Sequence, residues 1–136
     1  MGKEFLGRGW KFPVELVGDR LTYEAEEAKI REAILIVLGT ARGERVMRPD
    51  FGSRLRELVF APLNSNTRAL AARYVTEALT AWEPRIDVLR VRAEPRDAMA
   101  GVLDIDIEYR VRATNSRFNL VYPFYLQESG REGAAT

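Results

Sequence analysis

The sequence contains no cysteine and no histidine among its 136 residues. Without cysteine, the chain can form no disulfide, no thiolate nucleophile and no cysteine-ligated metal site. Without histidine, it lacks the side chain that most often acts as a general base or a metal ligand near neutral pH. A Ser-His-Asp triad and a Cys-His pair are therefore excluded, and we expect neither a metal nor another cofactor.

Long apolar stretches are also missing from the sequence. The longest apolar block, residues 33–38, is far shorter than the roughly 18 residues that a membrane helix requires. Residues 1–6 show no apolar run of signal-peptide length, because Glu4 interrupts them. We expect a soluble protein that carries no export signal and binds no membrane.

A strong excess of one charge is absent as well. The 21 lysines and arginines nearly balance the 20 acidic residues, and the net charge is +1. Pairs of arginines such as Arg90 and Arg92 recur along the predicted sheet, but acidic residues share that sheet and oppose phosphate binding. We therefore expect no nucleic-acid partner.

The part of the chain before residue 85 is predicted to contain an arm and three helices. Glycines and a proline punctuate residues 1–22, which predicts an extended arm with a short strand within residues 9–17. Helices are predicted over residues 23–38, over residues 54–60, and from Asn66 or Thr67 to Trp82. Thr22 and Ser53 are the expected caps of the first two helices. Gly39 and Pro62 are expected to end them.

The rest of the chain is predicted to form β-strands over residues 86–94, 103–111 and 117–126. The second strand alternates strictly between apolar and charged residues, as expected for a strand with one face in the core. The third strand contains Pro123, which favours an edge strand or an arm in a sheet shared with neighbours. A meander strand packed within the monomer is the alternative. The class is α+β, with one domain over residues 1–126 and a disordered tail over residues 127–136.

Two carboxylates are the best candidates for catalysis in this chain. Asp104 and Asp106 lie on one face of the predicted second strand, and a glycosidase needs only two such groups. The same pattern is typical of a solvated strand face, because Arg110 and Arg112 continue the row. A glycosidase acid also needs an apolar pocket to raise its pKa, and the pattern predicts no cleft. We expect no enzymatic activity.

Three segments of the chain are distinctive. Residues 43–55 read Gly-Glu-Arg-Val-Met-Arg-Pro-Asp-Phe-Gly-Ser-Arg-Leu, with Leu-Val-Phe at 58–60. Residues 9–14 read Gly-Trp-Lys-Phe-Pro-Val, and Glu83-Pro84-Arg85 closes the predicted long helix. In this order the segments resemble the gene-25-like baseplate wedge family of contractile phage tails, which has a similar N-terminal element and carries a Glu-Pro-Arg signature at the end of this helix; residues 43–55 carry the closest resemblance. Relatives of this family serve in type VI secretion baseplates and in phage-tail-like injection particles.

The resemblance implies a structural role in a contractile injection machine. A member of this family would sit in the baseplate wedge in six copies, contact other wedge subunits and the central hub or tube region, and start the sheath by β-strand exchange. It would assemble in the bacterial cytoplasm and then remain part of the particle. Some members carry a lysozyme name, so a peptidoglycan-cleaving muramidase is the alternative function.

The resemblance and the strand pattern together assign candidate roles to three groups of residues. The expected wedge contact consists of Glu83, Pro84 and Arg85 with Arg45 and Arg48. An ordered structural loop is expected at Pro49, Asp50, Phe51 and Gly52, with Phe51 buried and Gly52 in a backbone geometry that other residues resist. The expected strand-exchange residues are Leu103, Ile105, Ile107, Tyr109, Val111, Phe118, Leu120, Tyr122 and Phe124.

Overall fold

The computed structural model describes residues 11–44, 47–97 and 99–127, with side chains described from Tyr23 onward. Two α-helices precede three strands in these ranges, and a 3₁₀ helix of four residues, Leu55–Leu58, lies between the helices. The α-helices are α1 (Lys11–Gly39) and α2 (Ser65–Trp82), and the strands are β1 (Ile86–Asp97), β2 (Val102–Val111) and β3 (Ser116–Tyr125). The predicted α+β class is confirmed.

The prediction of three α-helices is wrong, because the middle element is only a single 3₁₀ turn. Ser53, the expected cap, accepts a hydrogen bond from the Leu55 N–H at 3.4 Å and also donates its hydroxyl to the Leu38 carbonyl at 3.1 Å. That bond holds the chain against the end of α1, and Pro62 follows too soon for an α-helix to develop. Leu55 and Leu58 are both buried, which fits the three-residue repeat of a 3₁₀ helix.

The predicted arm is also wrong over residues 11–22, where the chain is helical. Pro13 lies in the first turn of α1, where a missing N–H and a fixed φ are tolerated. Thr22 is therefore inside the helix and is no cap. The end of α1 at Gly39 agrees with the prediction. Residues 1–10, with most of the predicted arm, and the predicted tail from residue 128 lie outside the described residues.

Contacts divide the chain into two compact units, Met1–Glu32 and Ala33–Thr136, at a boundary inside α1. The described part of the first unit is helix. The second unit contains the end of α1, the 3₁₀ helix, α2 and the sheet. The single domain expected over residues 1–126 stays a prediction.

The sheet is an antiparallel meander in the order β1-β2-β3, with β2 in the centre. The apolar residues of β2, from Leu103 to Val111 at alternate positions, are at most 2% exposed. The alternation predicted from the sequence is therefore confirmed. Fully burying each aliphatic side chain of this kind stabilises a fold by about 1.5–3 kcal/mol, so this row is the largest block of the core.

Helix α2 covers the sheet mainly at β1. Its cap is Asn64, whose Oδ1 accepts a hydrogen bond from the Thr67 N–H at 2.9 Å, so the predicted start at Asn66 or Thr67 is slightly late. The buried residues of α2 include Ala71, Val75, Ala78 and Leu79, which lie on one face at helical spacing. Trp82, the last residue of the helix, is half-buried.

The loop after α1 folds back on itself at Gly52. Ala41 and Ser53 form a parallel bridge, and the Ser53 N–H donates to the Thr40 carbonyl at 2.9 Å. Gly52 has a φ of +114°, and a Cβ at this position would lie 3.0 Å from the Thr40 carbonyl carbon and closer still to its oxygen. The expected special backbone geometry of Gly52 is confirmed, and its cause is this close approach.

We predict that Gly52→Ala lowers the free energy of unfolding by about 2–4 kcal/mol, because it combines backbone strain with a backbone clash. Gly43→Ala is the matched control: Gly43 also has a positive φ, +86°, but a Cβ added there would meet nothing within 4 Å. This control should cost only about 1 kcal/mol. Urea denaturation of both variants measures the difference, and equal losses would contradict the clash.

Candidate partner interface

Glu83, Pro84 and Arg85 form the corner between α2 and β1. The Glu83 side chain is only 3% exposed. Arg85 binds it with both arms of the guanidinium, from Nε to Oε1 at 2.7 Å and from Nη2 to Oε2 at 2.8 Å. The Glu83 N–H continues the helix by donating to the Leu79 carbonyl at 2.9 Å. The two opposite charges therefore bind each other and fix the corner.

This pairing limits which residues of the corner can contact a partner. The carboxylate of Glu83 is buried and engaged, so a partner can reach only the outer side of the corner. Pro84 is exposed, and the Arg85 side chain is 42% exposed. The wedge contact predicted at this corner therefore rests on Pro84 and Arg85, while Glu83 orients the guanidinium.

The structural loop approaches the same corner through Trp82. The Arg48 guanidinium lies 4.8 Å from the centre of the Trp82 ring, a cation–π distance. Phe51 packs edge-on against the same ring, with centroids 5.1 Å apart and planes at 62°. The chain thus brings Arg48 close to the Glu83 corner, as a shared contact site requires. Arg45 lies outside the described residues.

Phe51 is half-buried, whereas the sequence predicted a fully buried side chain. The neighbouring loop residues are held by backbone hydrogen bonds. The Pro49 carbonyl accepts from the Gly43 N–H at 2.6 Å, and the Arg48 carbonyl accepts from the Phe51 N–H at 3.0 Å. Pro49 and Asp50 are exposed at the tip of this turn. The loop therefore has a defined backbone, with one side of the Phe51 ring left accessible.

The two candidate catalytic carboxylates lie on the outer face of the sheet, opposite the core. Asp104 receives two hydrogen bonds from Arg96, at 3.0 and 2.8 Å. Asp106 accepts a hydrogen bond from the Asn119 amide. Both are half-buried among charged neighbours, and neither environment resembles the apolar pocket that keeps a glycosidase acid protonated.

Further charge pairing stabilises one end of that outer face. Asp87 of β1 binds Arg110 and Arg112. These hydrogen bonds hold the pKa of the Asp87 carboxyl below its usual range. The carboxylate form of Asp87 is therefore favoured at neutral pH.

The predicted strand-exchange residues fall into two groups. Those of β2 are core residues, and β2 is paired along its length with β1 on one side and β3 on the other. In this fold Leu103, Ile105, Ile107, Tyr109 and Val111 therefore cannot themselves receive another strand. Those of β3 share the core face, yet only Phe124 is buried, while Phe118, Leu120 and Tyr122 are half-buried.

β3 is an edge strand of the chain's own sheet. The edge position expected from Pro123 is therefore confirmed, and the segment pairs within the chain. The half-buried residues of its inner face lie beyond the area that α2 mainly covers. Strand exchange, if it occurs in this fold, therefore requires the outer edges of the sheet and cannot use the central strand β2.

The residues that the structure describes include no group of three or more acidic side chains placed to hold a metal ion. In the same residues, no helix is both long enough and apolar enough to cross a membrane.

A family profile and a curated relative both identify the baseplate wedge protein gp25 family. The sequence profile of the baseplate wedge protein gp25 family matches residues 24–116. The baseplate wedge protein gp25 of Enterobacteria phage T4 is 32% identical over 66 residues, which cover 48% of this chain and 50% of the phage protein. The chain thus spans about half the length of this curated relative. The profile covers the Glu83 corner and the loop, but it ends where β3 begins.

Two solved structures are also similar. A crystal structure of a protein from Geobacter sulfurreducens, provisionally named a tail lysozyme, shows 62% identity and a TM-score of 0.71, and the match covers 76% of this chain and 94% of that one. A chain in the cryo-EM structure of the postcontracted pyocin R2 baseplate shows 24% identity and a TM-score of 0.49, covering 74% of this chain and 85% of that one.

We predict that Arg85→Ala lowers the free energy of unfolding by about 1–3 kcal/mol, because it leaves the buried Glu83 carboxylate without its charged donor. Arg73→Ala is the control, since it removes an exposed pair with Glu77 and should change stability by less than about 0.5 kcal/mol. Thermal unfolding measures both, and a neutral Arg85→Ala would show that the pair has no structural role.

Proposed function

The chain belongs to the gp25 family of baseplate wedge proteins, and from that premise we propose that it joins the wedge to the sheath and initiates sheath assembly. The observation that supports this role most directly is the open three-stranded sheet, whose strand β3 lies at an edge. An extended segment from another protein can join such an edge through main-chain hydrogen bonds. A sheath subunit that contributes one strand would in this way be attached to the baseplate.

The proposed wedge contact lies at the Glu83 corner, where α2 ends and β1 begins. Arg85 presents a guanidinium whose position is fixed by the buried Glu83 carboxylate. Arg48 and the Trp82 ring extend this surface. A fixed guanidinium loses little conformational freedom on binding, which favours contacts with carboxylates or main-chain carbonyls. The partners are the other wedge subunits and the hub or tube region, in a baseplate with six copies of this chain.

The sheath role predicts a clear defect in particles. Baseplates assembled without this chain should carry tube but no full-length sheath, because the first ring of sheath subunits has no strand acceptor. Supplying the wild-type chain should restore full-length sheath, and electron microscopy of negatively stained particles measures the fraction restored. Full-length sheath on baseplates that lack the chain would contradict the proposal.

A muramidase is the second candidate, since the Geobacter sulfurreducens relative at 62% identity carries a lysozyme name. The surroundings of the carboxylates favour the structural role instead. Arg96 binds Asp104 through both oxygens, so this carboxylate is already engaged within the chain and does not lie in an apolar pocket.

We predict that the purified chain releases no soluble fragments from peptidoglycan above a buffer blank. Asp104→Asn and Asp106→Asn should give the same background, because neither carboxylate would take part in catalysis. The turbidity of a peptidoglycan suspension measures the reaction, with an active lysozyme as positive control. Lysis by the wild-type chain that either variant abolishes would establish the enzyme in place of the structural role.

A further inference from the structure

The two edges of the sheet expose different sets of backbone groups. The Leu126 N–H donates to the Gly101 carbonyl at 2.8 Å, so residue 126 points its backbone groups towards β2. The register between β2 and β3 continues without a shift, and in an antiparallel pair the inward and outward residues alternate. The backbone groups that point away from β2 are therefore those of Arg117, Asn119, Val121, Pro123 and Tyr125.

The outward backbone groups of β1 follow from its pairing with β2. The Arg112 N–H donates to the Arg85 carbonyl at 3.0 Å, and the register shifts between Val88 and Arg90. After this bulge, the outward residues are Val91, Ala93 and Pro95. An independent contact agrees with this assignment: Arg68 of α2 donates from Nε to the Ala93 carbonyl at 2.9 Å.

Side chains and irregular geometry close the β1 edge. Arg68 occupies the Ala93 carbonyl, and its second arm binds Glu94 at 2.9 Å. Pro95 offers no N–H to a new strand, and the bulge at Leu89 breaks the regular spacing. Between this edge and α2 there is only a shallow groove of about 310 Å³, lined partly by Ala69 and Ala72. An incoming strand would have to displace Arg68 before it could pair.

The β3 edge is open over residues 117–121. Across the described ranges, no hydrogen bond reaches the outward backbone groups of Arg117, Asn119 or Val121. Pro123 interrupts the edge beyond them, since it has no N–H. Past the end of β3, the Gln127 N–H already donates to the Val59 carbonyl at 2.5 Å. The accessible stretch is therefore short and has a defined beginning and end.

We propose that the sheet accepts a strand on one side only: residues 117–121 of β3 pair with an extended segment of a partner, while Arg68 keeps the β1 edge closed. The inference rests on the proposed function in taking a sheath subunit as the owner of that segment. One face of the segment would meet the half-buried Phe118 and Leu120, which calls for apolar side chains at alternate positions. The other face would meet Arg117, which is exposed and makes no ion pair within the described residues, so an acidic residue fits there.

Asn119→Pro tests the edge directly, because it removes an outward N–H while leaving the pairing with β2 intact. Pro123 and Pro95 already occupy outward positions in their strands. Asn119→Ala measures how much of any loss comes from the side chain and its bond to Asp106. Val91→Pro is the control, at an outward position of β1. Relative to Asn119→Ala, we expect Asn119→Pro to reduce the fraction of baseplates that carry sheath by about tenfold, for the loss of one hydrogen bond at the contact.

The result for the wild-type chain tests the proposed function, and the results for the variants test which edge of the sheet accepts the strand. If the wild-type chain fails to support sheath, the proposed function fails. If the wild type supports sheath and Asn119→Pro does so equally well, or if Val91→Pro is the defective variant, the edge assignment is wrong and the proposed function stands. Should Asn119→Pro unfold, Arg117→Glu replaces it with no backbone change. This variant should lower sheath attachment several-fold, whereas Arg90→Glu on β1 should not.

The role of Arg68 is tested on the purified chain without any partner. Arg68→Ala frees the Ala93 carbonyl and opens the β1 edge, so this variant should self-associate as its concentration rises. Arg73→Ala, on the same helix and in a pair with Glu77, should sediment like the wild type. Analytical ultracentrifugation measures both. An Arg68→Ala variant that sediments like the wild type at every concentration would show that Arg68 does not close the edge.

Discussion

β2 hydrogen-bonds along its length to β1 on one side and to β3 on the other, and the rest of the second unit depends on this double pairing. Its apolar face fixes which side of the sheet faces the core, and a slip of one residue would turn that face to solvent. Two ion pairs of its charged face, Asp104 with Arg96 and Arg110 with Asp87, oppose such a slip. Because β2 is fully paired, any association through the backbone must use β1 or β3.

The corner at Glu83 determines where α2 ends and how β1 begins. A buried carboxylate is costly unless it is paired and hydrogen-bonded. Arg85 satisfies both Glu83 oxygens from only two residues away, and Pro84 between them cannot continue the helix. The three residues therefore stop α2, set the direction of β1 and hold a guanidinium at a fixed position. The same side chains thus meet a local structural requirement and form the proposed binding surface.

The sequence predicted the parts of the fold that depend on local pattern. The strict alternation in β2 and the end of α1 at Gly39 follow from periodicity and glycine, and both are confirmed. The helical start of α1 at Lys11 was missed because Pro13 is equally compatible with an arm and with a first helical turn. The bond from Ser53 to Leu38, which limits the middle helix, joins residues 15 positions apart, and no local pattern indicates such a contact.

In the candidate site, too, long-range contacts determine features that the local sequence pattern does not show. Pro95 and Pro123 look alike in the sequence, as prolines in segments rich in strand formers. Only the register shows that both lie at outward positions, and only the packing of α2 shows that Arg68 reaches the Ala93 carbonyl from 25 residues away. The two edges of one small sheet thus differ through a single long-range side-chain contact and a bulge. Because an unprotected edge is open to any extended chain, closing one edge restricts the sheet to a single partner strand. In the proposed strand pairing, the short open stretch before Pro123 limits where the partner strand can lie, so the position of a proline on an edge would help to determine the register of the assembly.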